Sequence, residues 1–222
     1  MTTAIIVAAG KSERMGAGTD KAFLSLVNKP VVAWSLMAFE KCPDVDRIVL
    51  VVCKDQQLAA KAVCQMFGIS KLDKIVAGGN KRQDSVQAGL AACDLDTRAV
   101  VIHDGARPLV TPELVSEVVR LGVRTGGATV GRRVIDTVKT VEKGTTVTKT
   151  EPREKLWQVQ TPQAFQFRVL RDAYKALGKT EVTDDCQVVE MNGGTVKVFE
   201  TNRPNFKITT PEDLQVASLL LK

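Results

Sequence analysis

Five basic side chains stand at points in this chain where small residues or proline open a turn, and together they could grip a chain of phosphates. Arg14 and Lys21 follow Ile5-Ile6-Val7-Ala8-Ala9-Gly10, an apolar strand that empties into a small-residue turn. Backbone at such a turn can approach a ligand closely. Arg82 and Ser85 follow Gly78-Gly79, at the mouth of a helix whose dipole favours anions and hydroxyls. Arg153 carries the planar fork that suits bidentate phosphate binding. Lys207 precedes a helix opened by Thr210 and Pro211. Asp104, in His103-Asp104-Gly105-Ala106-Arg107-Pro108, could hold a ribose hydroxyl or Mg²⁺.

Each feature also has an ordinary reading. Gly78-Gly79 could be a plain turn with Asp84 as helix cap, Arg107 could pair with Asp104, and Arg153 could be a surface charge. Thr183-Asp184-Asp185 reads as a capping sequence. His103 is the only histidine and reads as scaffold, not as a base. A Walker A loop would need glycine at Ile5. The dinucleotide fingerprint fails at Ser12 if begun at Gly10, and at Lys21 if begun at Gly16.

The elements that position these residues follow from apolar patterning. Strands are expected at Ala4–Ala8, Arg47–Cys53, Lys74–Val76, Ala99–His103, Gly127–Val130 and Thr195–Glu200. Helices are expected at Val31–Lys41, Asp55–Met66, Asp84–Ala92, Pro112–Arg124, Gln166–Leu177, Asp184–Met191 and Pro211–Leu221. Near-continuous apolar strands alternating with helices indicate an α/β fold with a mostly parallel, Rossmann-like sheet covered on both faces. Ligands in such sheets bind beyond the carboxyl ends of the strands, where the basic turns fall. Val134–Glu151 breaks the rhythm: it is β-branched and polar, with a turn at Glu142–Gly144, and reads as a hairpin arm. A lone hairpin is marginal in water, so the arm is expected to pack on something: its own domain in the plain reading, or, in the favoured one, a second subunit of a homodimer.

Composition narrows the class. The 222 residues, 44% hydrophobic, suit one domain, 1–222, with the arm at about 133–155. No window reaches the roughly 18 apolar residues of a membrane span, and no signal-peptide pattern opens the chain. Five widely spaced cysteines fit a reduced, cytoplasmic protein. The net charge of +6 is scattered and aromatics are only 5%, so a site for anionic small molecules is expected and nucleic acid is not.

Taken in order, these segments resemble the 2-C-methyl-D-erythritol 4-phosphate cytidylyltransferases of the non-mevalonate isoprenoid pathway. The resemblance runs from residue 4 to about residue 220. It is carried by AAG-x3-RM-x5-K, GG-x2-R-x2-SV-x2-GL, HDGARPL, DT-x-K, R-x2-LW-x3-TPQ-x-F, TDD and N-x-KIT-x-PEDL. The order is specific although each motif is modest. Three features depart from the family's habit: Ser12 replaces a common glycine, Asp20 a common proline, and the stretch Gly131-Arg132-Arg133-Val134 is unusually basic.

The resemblance implies a nucleotidyltransferase-type fold and transfer of CMP from CTP to 2-C-methyl-D-erythritol 4-phosphate, with Mg²⁺. It implies that Ala8, Ala9, Gly10, Gly79 and Ser85 receive cytosine and ribose, and that Arg82 shapes the nucleotide loop. Arg14 and Lys21 would grip the triphosphate, and Asp104 would lie near ribose and metal. Thr137 and Arg153 on the arm would hold the acceptor phosphate in the neighbouring subunit's site, and Lys207 would position the acceptor. The acceptor phosphate is already anionic, so alignment and charge neutralisation carry the chemistry without a strong base. Ribitol 5-phosphate cytidylyltransferases share similar motifs but tend to open with Leu-Ala-Gly-Gly, where this chain has Val7-Ala8-Ala9-Gly10. A sugar-phosphate nucleotidyltransferase for another base is a second alternative, against which the Arg82–Ser85 loop and the arm argue. A non-catalytic nucleotide-binding protein on the same fold is a third, and the retained Arg14, Lys21, Arg153 and Lys207 speak against it.

Overall fold

The structure is a computed structural model that describes residues 1–10 and 21–221. Strand β1 (Thr2–Ala8) is buried on both faces. Its consecutive side chains Ile5 and Ile6 are 0% exposed and enter two different clusters, because successive strand residues point to opposite faces. Each such side chain contributes about 1.5–3 kcal/mol relative to leaving it in water. A small hairpin, β2 (Ser25–Leu26) and β3 (Lys29–Pro30), leads into α1 (Val31–Lys41). Pro30, with φ of −56°, is the N-cap of that helix.

The alternation continues through β4 (Arg47–Val52), α2 (Gln57–Met66), β5 (Leu72–Ala77), α3 (Arg82–Ala92), β6 (Ala99–Asp104) and α4 (Pro112–Thr125). Strand β7 (Gly127–Arg133) then leads to the arm strands β8 (Lys139–Val141) and β9 (Val147–Thr150). The chain finishes through β10 (Trp157–Gln166), α5 (Phe167–Ala176), α6 (Asp185–Met191), β11 (Lys197–Glu200) and α7 (Pro211–Leu220). Seven strands form the central sheet in the order β11-β7-β10-β6-β1-β4-β5. Helices α1, α2 and α4 bury one face, while α3, α5 and α6 bury the other.

The expected mostly parallel sheet is present, with one strand that the apolar pattern missed. Strand β10 runs antiparallel between β6 and β7. Its sequence alternates polar residues and contains Pro162, which argues against a central strand. The sheet accommodates the proline at a register shift between Gln160 and Gln163.

Strand β1 lies between β4 and β6, and the chain first builds outward to β5 before crossing to β6. A crevice therefore opens where β1 and β6 end, which is where open α/β sheets bind ligands. The arm is a separate two-stranded sheet in which Lys139 pairs with Thr150. Ile135, Val141 and Val147 are exposed around it. The basic run before the arm is used locally. Arg132 Nε donates to Gln158 Oε1 at 2.7 Å, and the Arg133 guanidinium lies 4.5 Å from the centre of the Trp157 ring.

Candidate active site

The crevice is lined by Ala8, Ala9 and Gly10 from the end of β1, by Gly79, Arg82 and Ser85 around the start of α3, and by Asp104 and Lys207. Eight of the residues singled out in the sequence therefore meet in one cleft. Arg14 lies outside the described residues, as do Ser12 and Asp20, and Lys21 is placed by its backbone at the start of the short helical turn Lys21–Phe23.

The glycine pair brings two loops together. A Cβ at Gly78 would sit 2.4 Å from Ala9 Cβ and 2.6 Å from Ser85 Oγ, and one at Gly79 would sit 2.3 Å from Asp84 Cβ. The glycines are therefore required by contact between protein segments, not only by approach of a ligand. Ser85 is 2% exposed; its hydroxyl accepts from Gly79 N–H at 3.2 Å and lies 3.3 Å from Lys81 O. It staples the loop that faces the cleft. Asp84 Oδ2 accepts from Lys81 N–H at 3.0 Å, so the acidic residue anticipated as a cap does hold the helix start.

Asp104 is the electrostatic centre. Arg82 Nε donates to its Oδ1 at 3.0 Å, Lys207 Nζ donates to its Oδ2 at 3.0 Å, and Arg107 Nε lies 3.5 Å from Oδ2. Burial alone would raise the carboxyl pKa, but Arg82, Lys207 and Arg107 outweigh it and hold the group well below the usual carboxylate range. Arg107 thus takes the pairing role that the sequence left open. Its Nη1 donates to Asn205 O at 2.9 Å. Ile208, next to Lys207, is fully buried and donates its N–H to Ala106 O at 2.8 Å, which holds the Lys207 backbone against the loop after β6.

Sequence reasoning missed two supports. Thr161 Oγ1 accepts from Asp104 N–H at 3.0 Å and stands 3.1 Å from His103 Nδ1. His103 is fully buried, and burial above all pushes its pKa down to about 3, so it is a neutral scaffold residue. Asp185, grouped with Asp184 as a cap, points inward: Arg82 Nη2 donates to its Oδ2 at 2.8 Å. Asp184 is the actual N-cap, accepting from Gln187 N–H at 3.0 Å. Three cations, Arg82, Arg107 and Lys207, thus face two carboxylates, Asp104 and Asp185, leaving one excess positive charge. That floor suits an anion.

Thr137 and Arg153 do not line this cleft. Both are exposed, and Arg153 Nη1 donates to Ile135 O at 2.5 Å at the base of the arm.

Among the described residues no three His, Cys, Asp or Glu side chains gather to hold a metal ion. Mg²⁺ commonly keeps several waters and takes substrate phosphates with one or two carboxylates. The donor set therefore fits a metal carried mainly by phosphate oxygens, with Asp104 the one acidic group among the described residues that line the cleft.

Comparison with known proteins finds similarity along the whole chain. The family model described as "IspD: 2-C-methyl-D-erythritol 4-phosphate cytidylyltransferase" matches residues 2–222. A 2-C-methyl-D-erythritol 4-phosphate cytidylyltransferase of Dehalococcoides mccartyi is 46% identical over 220 residues, covering 99% of this chain and 95% of its own. One of Pelotomaculum thermopropionicum is 43% identical, covering 99% and 93%. Among solved structures, the 4-diphosphocytidyl-2C-methyl-D-erythritol synthase of Anaerococcus prevotii superposes with a TM-score of 0.87 at 28% identity, over 99% of this chain and 95% of that one. The cytidylyltransferase of Thermus thermophilus superposes with a TM-score of 0.80 at 30% identity, over 98% and 97%.

Proposed function

This chain belongs to the 2-C-methyl-D-erythritol 4-phosphate cytidylyltransferase family, and on that premise we propose that the cleft between the ends of β1 and β6 is where its reaction occurs. The reaction transfers CMP from CTP to 2-C-methyl-D-erythritol 4-phosphate, giving 4-diphosphocytidyl-2-C-methyl-D-erythritol and pyrophosphate, in isoprenoid precursor synthesis. The observation that carries the site is the meeting of Gly10, Gly79, Asp104 and Lys207 in one cleft with excess positive charge.

In this reading Ala8, Ala9, Gly10 and Gly79 supply close-approaching backbone for cytosine and ribose. Ser85 and Arg82 fix the second loop, and Asp104 faces the ribose. Arg14 and Lys21 hold the triphosphate. A phosphate oxygen of the acceptor attacks the α-phosphorus of CTP, the new O–P bond forms, and the bond to the bridging oxygen breaks with its electron pair leaving on pyrophosphate. Lys207 moves from sharing Asp104 alone to sharing an acceptor phosphate oxygen. No proton needs removal from the nucleophile, which accords with a buried, neutral His103. Asp104 would help to hold Mg²⁺ brought with the nucleotide, and the ion would supply charge neutralisation.

The same reading makes the active form a homodimer. The exposed Ile135, Val141 and Val147 need a partner surface, and Thr137 and Arg153 lie off their own cleft, available to grip the acceptor phosphate in the other subunit's cleft. One catalytic domain, 1–222, carries the arm. Widely spaced cysteines support a cytoplasmic setting, and among the described residues no helix is long and apolar enough to cross a membrane. Pyrophosphate release with CTP and Mg²⁺ tests the function, with 2-C-methyl-D-erythritol 4-phosphate in one arm and ribitol 5-phosphate in the other. Release with the first acceptor alone is expected, and release only with ribitol 5-phosphate would reassign the acceptor.

A further inference from the structure

Beneath the cleft, two buried residues to which the reaction as described gives no role, Tyr174 and Asp185, extend the Arg82–Asp104–Lys207 set inward. Tyr174, on α5, is 5% exposed and is the only tyrosine in the protein. Its hydroxyl donates to Asp185 Oδ1 at 2.6 Å, within the short range of a charge-assisted hydrogen bond. The other oxygen of Asp185, a residue 0% exposed, accepts from Arg82 Nη2 at 2.8 Å. Arg82 in turn gives its Nε to Asp104 at 3.0 Å, and Asp104 takes Lys207 on its far oxygen. The Asp185 backbone is pinned as well, since its N–H donates to Gln163 Oε1 at 3.1 Å.

We propose that Tyr174 and Asp185 are positioning residues for the cytidylyl transfer: they lock the Arg82 guanidinium against Asp104 and so fix where Asp104 and Lys207 stand in the cleft. The inference rests on the reading of this cleft as the reaction site. A guanidinium held at two separate nitrogens by two carboxylates has a fixed plane, which a single contact cannot give it. Tyr174 engages Oδ1 and Arg82 engages Oδ2, so the Asp185 carboxylate is held at both oxygens and the second contact has a set direction. Without Asp185, Arg82 keeps one partner and is free to turn toward incoming phosphate. Asp104 then loses the fixed contact on its Oδ1, and Lys207, on the other oxygen, loses its defined starting point. Small misplacements of this kind cost rate more than affinity. Tyr174 itself does not line the cleft. Any effect it has on turnover must therefore travel through Asp185.

A purely structural role makes a different forecast. If Asp185 merely compensates the buried Arg82 charge, its loss lowers stability and leaves turnover per folded molecule unchanged. The experiment measures kcat and both KM values per folded molecule for the parent, Tyr174→Phe, Asp185→Asn and the double variant. Ser116→Ala serves as a destabilised control, because it removes a 2.6 Å bond to Asp44 remote from the cleft. Positioning predicts that Asp185→Asn lowers kcat about tenfold or more with KM for CTP changed less than about threefold. Tyr174→Phe should lower kcat by about threefold to tenfold, and the double variant should match Asp185→Asn alone, since coupled residues do not add. Ser116→Ala should lose melting temperature but not kcat. Parental kcat in folded Tyr174→Phe overturns the proposal, even if Asp185→Asn does not fold, and so do additive effects in the double variant. A parent that releases no pyrophosphate from CTP overturns the functional reading and this proposal with it.

Discussion

Lys207 Nζ donates to Asp104 Oδ2 at 3.0 Å although 103 residues separate the two. The cation nearest the cleft from the C-terminal segment is thus already shared with a carboxylate, and phosphate must compete for it. Phosphate can win that competition because Arg82 and Arg107 remain to neutralise Asp104 when Lys207 swings away.

Lys207→Ala should therefore cost activity and little stability. Asp104 keeps two cationic neighbours, so no unpaired carboxylate is left behind. We expect kcat/KM for the acceptor to fall by about a hundredfold or more, the scale of losing a preorganised charge at a developing negative site. The melting temperature should stay within a few degrees of the parent. Retention of half the parental kcat/KM would remove Lys207 from the reaction.

His103 gives a pH prediction. Its folded pKa of about 3 lies below the value near 6.5 expected in the unfolded chain. Between those limits the unfolded state binds a proton that the folded state does not, so stability rises with pH across this window. The contribution is complete above pH 6.5 and is lost as pH falls, at about 1.4 kcal/mol per unit. Denaturant unfolding at pH 6.5 and pH 5 should differ by about 2 kcal/mol from this residue alone, and His103→Gln should flatten that difference. A turnover profile with an inflection near pH 6.5 that the same substitution abolishes would make His103 a participant instead of scaffold.

Gly78 tests why the two loops meet. The Cβ of Gly78→Ala would press on Ala9 Cβ at 2.4 Å and on Ser85 Oγ at 2.6 Å. Ala9 Cβ cannot turn aside, and Ser85 Oγ is tied to Gly79 N–H and Lys81 O, so the loops must separate. Overpacking of this kind costs about 1–3 kcal/mol. Because both contacts lie in the cleft wall, KM for CTP should rise as well, which equilibrium unfolding and initial-rate kinetics would show together. Unchanged stability with unchanged KM would mean that the loops have slack that their contacts do not indicate.

Much of this site was legible in the sequence because the parallel half of the sheet is written in short apolar runs, each ending at a turn with a glycine or a charge. The antiparallel strand β10 was not legible: Pro162 and alternating polar residues conceal a strand whose irregular register accommodates the proline. Asp185 was hidden for a different reason. It adjoins Asp184, and two acids at a helix start look alike in one dimension. Only one of them can cap, and the apolar run that follows places the other against Arg82. Tyr174 belongs to no motif and sits within the helix expected at Gln166–Leu177, so nothing in one dimension pairs its hydroxyl with Asp185. The arm was legible as a hairpin, with Gly144 at φ of 61° in its turn. In the dimer reading the arm packs on the partner subunit.

That last property can be tested with two crippled variants. In the dimer reading each cleft takes Lys21 from its own chain and Arg153 from the partner's arm. Lys21→Ala should cut turnover by about two orders of magnitude or more, and Arg153→Ala should mainly raise the acceptor KM. Mixing the two under conditions that exchange subunits produces a heterodimer with one doubly damaged cleft and one intact cleft. Random exchange of equal amounts makes about half of the dimers mixed, so about a quarter of all clefts should regain parental function. If Arg153 serves its own cleft instead, every cleft in the mixture carries a defect and no activity returns. Heterodimers verified by mass, with turnover no higher than the mean of the two variants, would therefore refute an arm that works across subunits while leaving the cleft chemistry untouched.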